Sequence, residues 1–254
     1  MNRSANRTMN RRQFVATAPA WVACIGLGVD FTNAEAQHAE KPADGRVFRL
    51  WTMGCAHVGT DLRRAKRESL AEAMRQSEFG GREGGPPFDW DVALHVGDLS
   101  GTQEMPDDEE GREVVRQFAA ARKHRREQFY NLAGNHDASR YGEPTMTWFR
   151  TWIDPTGENT EHSGVDPGRR PFPVEGTWER YSFRAGNLLF LVMSDRNDLE
   201  PPVGRGRRGG YPAGAVTGET FAWWKSAIVL PGPSGCLVFV SMPRRPSRIA
   251  SASS

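Results

Sequence analysis

Residues 129–137 read Phe-Tyr-Asn-Leu-Ala-Gly-Asn-His-Asp. The first four residues, Phe129–Leu132, form a short run rich in aromatic and aliphatic side chains, which predicts a buried β-strand. The tetrapeptide Gly134-Asn135-His136-Asp137 follows almost at once and predicts a turn, because Gly, Asn and Asp tolerate the backbone conformations that turns require. The stretch therefore predicts a strand that ends in a turn carrying an amide, an imidazole and a carboxylate.

Two earlier stretches repeat this arrangement. The run Val47–Met53 leads into Gly54-Cys55-Ala56-His57, and the run Val92–Val96 leads into Gly97-Asp98. Apolar residues at helical spacing separate the strands, at 62–76 and 109–124. Strand–helix–strand–helix–strand at this spacing predicts a βαβαβ unit with a parallel sheet.

The second half of the chain has a different pattern. The runs Trp178–Arg184 and Leu188–Met193 flank Ala185-Gly186-Asn187, which predicts an antiparallel hairpin. A helix at Phe221–Leu230 and a strand at Cys236–Ser241 are expected after it. The predicted fold class is therefore α/β, with a mixed central sheet.

Composition excludes several classes of protein. The 254 residues are 38% hydrophobic and 25% charged, which is typical of a globular chain. No apolar run approaches the roughly 18 residues that a spanning helix needs. Beyond residue 36 the chain holds 29 basic and 29 acidic side chains, so no nucleic-acid-binding surface is evident. Cys24, Cys55 and Cys236 form no CxxC pair, so neither a zinc ribbon nor a disulfide scaffold is indicated.

The three polar turns are expected to meet, because ligands bind beyond the carboxyl ends of the strands in an open parallel sheet. They bring together the side chains of His57, Asp98, Asn135, His136 and Asp137. Mixed nitrogen and oxygen donors of this kind suit Mn, Fe or Zn rather than Ca. The sequence therefore predicts a transition-metal site at this edge.

Gly97-Asp98 followed by Gly134-Asn135-His136-Asp137, each after a strand, resembles the calcineurin-like metallophosphoesterases. The resemblance covers about residues 47–241. It implies an αββα sandwich with mixed central sheets and a metal-dependent phosphoric ester hydrolase acting through a dinuclear site. Two divalent ions (Mn, Fe or Zn) and a phosphate-ester substrate are implied with it. Whether the substrate is a monoester, a diester or a nucleotide stays open.

The resemblance also implies a role for each matching residue. His57 would bind the first metal, Asp98 would bridge both metals, and Asn135 would bind the second. His136 would act as general acid or contact the phosphate, and Asp137 would hold the imidazole of His136 in the right tautomer.

Two features depart from the family pattern. Cys55 stands where the family has a metal-binding Asp, and it is either a thiolate ligand or a small residue beside a site that lacks one ligand. Asp61 is a possible substitute or the cap of a helix beginning at Leu62. The family's later histidines are also absent, since His162 is the only histidine after the third turn.

We therefore expect a C-terminally incomplete member of the family, truncated or frame-shifted, with weak or single metal binding. From Arg244 onward the chain is rich in Arg and Ser and has no acidic or aromatic residue, unlike the balanced sequence before it. This composition predicts an aberrant or disordered tail at residues 242–254. A second hypothesis is an exported binding protein or pseudoenzyme that keeps the fold but not catalysis.

The N-terminus resembles an export signal. Asn-Arg-Arg-Gln-Phe-Val at 10–15 is similar to a twin-arginine export signal, and Ala34-Glu35-Ala36 offers a cleavage site. The alternatives are a disordered basic arm and lipidation at Cys24. The expected organisation is a signal peptide at 1–36, a linker at 37–46 and the metallophosphoesterase-like domain at 47–241. The resemblance to this signal implies the twin-arginine export machinery as a partner and a periplasmic or secreted location. It also implies that no stable membrane span remains after processing.

The remaining polar residues have plainer interpretations. His95 is expected in the sheet, His124 at a solvated helix end and His162 in a loop. Arg205, Arg207 and Arg208 are expected in a solvated loop.

Overall fold

The computed structural model describes residues 47–101, 105–138, 146–186, 188–196, 216–229 and 237–240. The predicted signal peptide, linker and tail lie outside these residues, as do Cys24, Cys236 and the arginines at 205–208. The strands are β1 Leu50–Met53, β2 Val92–His95, β3 Phe129–Asn131, β4 Glu175–Gly176, β5 Arg180–Ala185, β6 Leu188–Met193 and β7 Leu237–Val240. The helices are α1 Ser69–Phe79, α2 Asp108–Phe118, α3 Thr147–Trp152, α4 Thr160–Ser163 and α5 Gly218–Val229.

The first sheet is the predicted parallel one, with β2 between β1 and β3. Its register pairs Met53 with His95 and His95 with Asn131, so the three strands end at the same level. The three polar turns therefore leave the sheet at one edge, as the sequence predicts.

The second sheet contains the predicted hairpin. β5 pairs with β6 in antiparallel orientation, β4 adds to the outer side of β5, and β7 pairs with β6 in parallel. Because this sheet carries both kinds of pairing, the molecule is a mixed α/β protein with one parallel and one mixed sheet.

Side chains alternate between the two faces of the first sheet, and each face packs into a separate hydrophobic core. Val92, Leu94 and Tyr130 pack against Phe183 and Phe190 of the second sheet. On the opposite face, the core shared with the helices contains Ala93, Phe129, Leu70, Met74, Val114 and Phe118. The first sheet thus lies between a helical layer and the second sheet. None of the helices in the described part of the chain has the length and apolar character needed to cross a membrane.

The predicted helix at 62–76 is broken in two. A single π-helical turn, Asp61–Ala65, ends at Lys66, whose φ of 56° is left-handed, and α1 begins at Ser69. Apolar spacing does not reveal such a break, because a left-handed lysine has no signature in the hydrophobic pattern. The helix predicted at 109–124 is also shorter, since α2 ends at Phe118.

Candidate metal centre

The turns that follow β1 and β2 run side by side. The amide of Cys55 donates to the carbonyl oxygen of Gly97 at 3.0 Å, and the amide of His57 donates to that of Asp98 at 3.1 Å. A Cβ at Gly101 would lie 2.1 Å from the carbonyl oxygen of His57, so only glycine permits this approach. These contacts place His57 beside Asp98.

The carboxylate of Asp137 joins the third turn to the second. Its Oδ2 accepts hydrogen bonds from the amides of Gly134 at 2.7 Å and Asp98 at 3.0 Å, and its Oδ1 accepts from the amide of Ser100 at 2.8 Å. A Cβ at Gly134 would lie 2.2 Å from the amide nitrogen of Asp98. Gly134 and Asp137 therefore fix how closely these two turns approach each other.

This arrangement replaces the role expected for Asp137. Within the described residues its carboxylate bonds to three backbone amides and not to the imidazole of His136, because buried N–H groups require an acceptor and these three surround it. Burial raises the pKa of Asp137 and the charge of Asp98 raises it further, while the three amides act in the opposite direction. Asp137 thus orders the turns rather than the ring.

Three of the predicted site residues converge on one point. The donor atoms of Cys55, His57 and Asp98 all lie within 4.8 Å of one another. The Sγ atom of Cys55 is 4.0 Å from Oδ2 of Asp98. Asp98 is buried, His57 is half-buried and Cys55 is exposed, so the cluster is rooted in the protein and open to solvent on the cysteine side.

The same three residues have unusual backbone conformations. The φ angles are 56° at Cys55, 48° at His57 and 59° at Asp98. These values lie in the left-handed region, which residues other than glycine rarely adopt. Each such residue costs roughly 1–3 kcal/mol, and residues of this kind cluster at functional sites. Only two other described non-glycine residues, Lys66 and Asp154, share this conformation. The strain is therefore concentrated where the donor atoms meet.

The third turn brings a second imidazole against the cluster. The backbone amide of His136 donates to Oδ1 of Asp98 at 3.0 Å, and the rings of His136 and His57 meet edge to face with centroids 4.6 Å apart. His136 is not a member of the compact three-residue cluster among the described residues. Asn135 precedes it on the same turn, and both side chains are half-buried.

His95 lies under the site but cannot be a metal ligand in this tautomer. Its Nδ1 accepts a hydrogen bond from the amide of Gly97 at 3.3 Å, so the ring proton sits on Nε2 and leaves no lone pair there. Burial, together with the charge of His57, lowers the pKa of His95 to about 3. His95 is therefore a neutral sheet residue, as the sequence predicts.

Asp61 is not the substitute ligand that the sequence left open. Its carboxylate accepts hydrogen bonds from the amides of Gly59 at 2.9 Å, Leu62 at 2.7 Å and Ser69 at 2.6 Å. These bonds hold the π-helical turn to the start of α1. The expected cap of a helix beginning at Leu62 is not seen either, because Asp61 is itself the first residue of the π-helical turn, whose N-cap position is Thr60.

Glu110 also contributes to the site, although the sequence does not predict it. This buried side chain, near the start of α2, accepts hydrogen bonds from the hydroxyl of Ser100 at 3.1 Å and the amide of Gly101 at 2.7 Å. These two bonds tie the residues that follow Asp98 to the first turn of α2. No sequence signal identifies Glu110, because an acidic residue in the first turn of a helix is already explained by the helix dipole.

The prediction that His124 is solvated is wrong. Its ring is buried, stacks on Trp90 with centroids 3.6 Å apart and bonds to Glu78 through Nδ1 at 2.8 Å. The basic run around it hid this role, because a partner 46 residues away has no local signature. His162 lies in the short helix α4, where its ring contacts Trp152.

No protein-family model matches the chain, and the search of curated proteins finds no similar sequence.

Proposed function

We propose that the protein is a metal-dependent phosphoric ester hydrolase whose metal centre is built on Cys55, His57 and Asp98. The observation that carries the proposal is the convergence of their donor atoms within 4.8 Å at the carboxyl edge of a parallel sheet. Strained backbone at all three positions supports it, since strain persists only where the surrounding structure enforces it.

The donor set fits a divalent transition metal. A thiolate, an imidazole and a carboxylate suit Zn or Fe better than Mg or Ca. Three protein ligands with one open side are the pattern of catalytic rather than structural zinc, and the exposed side of Cys55 provides that opening. Bound there, the ion would supply Lewis acidity for phosphoester hydrolysis.

The protein's own residues would orient the substrate. His136 presents its imidazole at the rim, in ring contact with His57, where it can donate a proton to a phosphate or leaving-group oxygen. Its backbone amide holds Oδ1 of Asp98, and Asp137 holds the amide of Asp98 in turn. This chain of hydrogen bonds fixes Oδ2 of Asp98 toward the cysteine side.

A dinuclear centre is the finer part of the proposal. The second ion would depend on Asp98 and Asn135, while the family pattern supplies it with later histidines. His162, the remaining candidate, lies in α4, and its ring contacts Trp152 of α3. The first metal position thus has more protein ligands than the second. We therefore expect one strongly bound ion per chain and a weakly bound second ion.

The same shortage of ligands favours a second candidate, an exported binding protein or pseudoenzyme that retains the fold without turnover. Metal content by mass spectrometry, combined with p-nitrophenyl phosphate hydrolysis, separates the two. Bound metal with turnover supports the hydrolase, and bound metal without turnover supports the pseudoenzyme. Protein that takes up neither zinc, iron nor manganese refutes the metal centre itself.

The finer fold and the location belong to this proposal as well. The stacked sheets with helices outside the first sheet are compatible with an αββα metallophosphoesterase sandwich. Export by the twin-arginine route is proposed from the Arg11–Arg12 pair. Replacing both arginines by lysine should retain the protein in the cytoplasm, and undiminished export would contradict that route.

A further inference from the structure

Two buried polar side chains lie next to each other beneath the proposed metal centre. His95 and Asn131 are paired in register on neighbouring strands, and they are 1% and 0% exposed. Ala93 and Phe129, two residues earlier on the same strands, belong to the core that faces the helices. Because strand side chains alternate, His95 and Asn131 project to that same face and are direct neighbours.

The two side chains have complementary unused groups. The amide of Gly97 occupies Nδ1 of His95, so Nε2 is an N–H donor, and it has no acceptor among the described residues. The amide nitrogen of Asn131 donates to the carbonyl oxygen of Phe129 at 3.4 Å, while Oδ1 has no donor in the described part of the chain. A buried polar group without a partner is destabilising, because it loses its hydrogen bonds to water and gains none in return.

His57 lies on the turn that runs beside the end of β2, where its amide donates to the carbonyl oxygen of Asp98, three residues beyond His95, at 3.1 Å. Neither ring nitrogen of His57 has a hydrogen-bond partner among the described residues. A metal-binding histidine generally donates its second nitrogen to a fixed acceptor, which sets the ring plane and the tautomer. In the part of the chain that the structure describes, the proposed ligand His57 thus has no direct protein partner for that nitrogen. The nearby buried donor of His95 and acceptor of Asn131 have none there either.

We propose that a buried water molecule bridges His95 and Asn131, and that through this water the pair positions the imidazole of His57. The water accepts from Nε2–H of His95, donates to Oδ1 of Asn131 and accepts from the second nitrogen of His57. Three partners are the usual number for a buried water. A charged ligand does not suit this place, because both side chains are neutral. The positioning of His57, unlike the water itself, rests on the proposed function.

The water is tested on the metal-free wild-type protein by NMR spectroscopy. We expect the His95 ring in its Nε2–H tautomer, a slowly exchanging Nε2–H proton and a cross-peak from that proton to a long-lived water. A ring protonated on Nδ1, or an Nε2–H proton bonded directly to Asn131 without a water cross-peak, overturns the proposal. This measurement needs neither a variant nor a metal.

The positioning of His57 is tested by zinc affinity and by the visible spectrum of the cobalt-loaded protein. His95→Leu removes the donor and should weaken zinc binding by about 10–100-fold, as loss of an outer partner of a metal-bound histidine does. It should also shift the cobalt bands. His95→Gln restores an N–H donor and should recover most of the affinity, which a purely structural role would not produce. The exposed His162→Leu is the matched control and should leave both readouts unchanged.

The outcomes separate the two proposals. Equal zinc affinity in the wild type and a folded His95→Leu, or equal losses in the Leu and Gln variants, overturns the positioning of His57. A wild type that binds neither zinc nor cobalt refutes the proposed function and the positioning with it. The water cross-peak still decides the buried site in that case.

Discussion

Two clusters in this molecule combine histidine with carboxylates, and they are built in opposite ways. Both ring nitrogens of His124 have acidic partners, since Nδ1 bonds to Glu78 and Nε2 lies 3.3 Å from the carboxylate of Asp89. The ring also stacks on Trp90. Glu78 also accepts hydrogen bonds from the amides of residues 122, 123 and 124. Around His57 the donor atoms of Cys55 and Asp98 instead converge on a shared point at the surface.

Backbone strain separates the two clusters further. Cys55, His57 and Asp98 are all left-handed, whereas Glu78 and His124 are not. A closed cluster with relaxed backbone stabilises the fold, because its groups satisfy one another. An open cluster with strained backbone is expected to gain its stabilisation from a bound ligand. Residue types alone do not distinguish the two, and their surroundings do.

The largest expected effect is that of Asp98→Asn on the open cluster. The amide keeps an oxygen for the backbone N–H of His136, so the turn should persist while the ligand charge is lost. We expect zinc affinity to fall at least about 100-fold, since even outer partners cost about 10–100-fold, and turnover to disappear. Equilibrium dialysis and p-nitrophenyl phosphate hydrolysis measure the two effects. Unchanged affinity would remove Asp98 from the centre.

The closed cluster should respond in stability alone. Glu78→Ala leaves three backbone amides, of which only that of His124 is buried, and the buried ring of His124 without their acceptor. We expect a loss of about 3–5 kcal/mol in the free energy of unfolding. Zinc affinity of the folded fraction should not change. Urea denaturation measures the loss, with the exposed Glu161→Ala as control. A loss of metal binding without a loss of stability would reverse the roles assigned to the two clusters.

Gly134→Ala tests the contact between two turns of the open cluster. The new Cβ would meet the backbone and side chain of Asp98 at 2.2 Å, so the turns must separate. We expect zinc affinity to fall by about 10-fold or more, because ligand placement depends on that contact. Gly218→Ala is the matched control, since a Cβ there meets nothing within 4 Å. Equal behaviour of the two variants would show that the close approach is unimportant.

A smaller effect is expected at acid pH. Burial raises the pKa of Glu78, but bonds from the amides of residues 122–124 and from His124 outweigh it and hold the pKa below its ordinary value of 4.5. A depressed pKa stabilises the fold above the unfolded pKa, and this contribution is lost as pH falls through the folded pKa. Wild-type stability should therefore drop below about pH 4.5, and Glu78→Gln should flatten that drop. Urea midpoints between about pH 7 and pH 3 provide the check.

Much of the parallel sheet follows from sequence. Short apolar runs ending in glycine-containing polar turns predict β1, β2 and β3 and the edge where Cys55, His57 and Asp98 meet. The contacts of the buried acids do not follow, because each acid bonds to backbone amides set by tertiary packing. Asp137 reaches residues 98 and 100, and Glu78 reaches residues 122–124. The position of such a carboxylate in the fold is therefore easier to predict from sequence than the groups to which it bonds.

X-ray absorption spectroscopy of the zinc-loaded protein tests the central claim most directly. A centre formed by Cys55, His57 and Asp98 should show one sulfur at about 2.3 Å together with nitrogen and oxygen neighbours at about 2.0–2.2 Å. Cys55→Ser should lose the sulfur contribution and keep the rest. A shell of nitrogen and oxygen alone in the wild type, or a sulfur signal that survives Cys55→Ser, would contradict the assignment of this cluster as the metal centre.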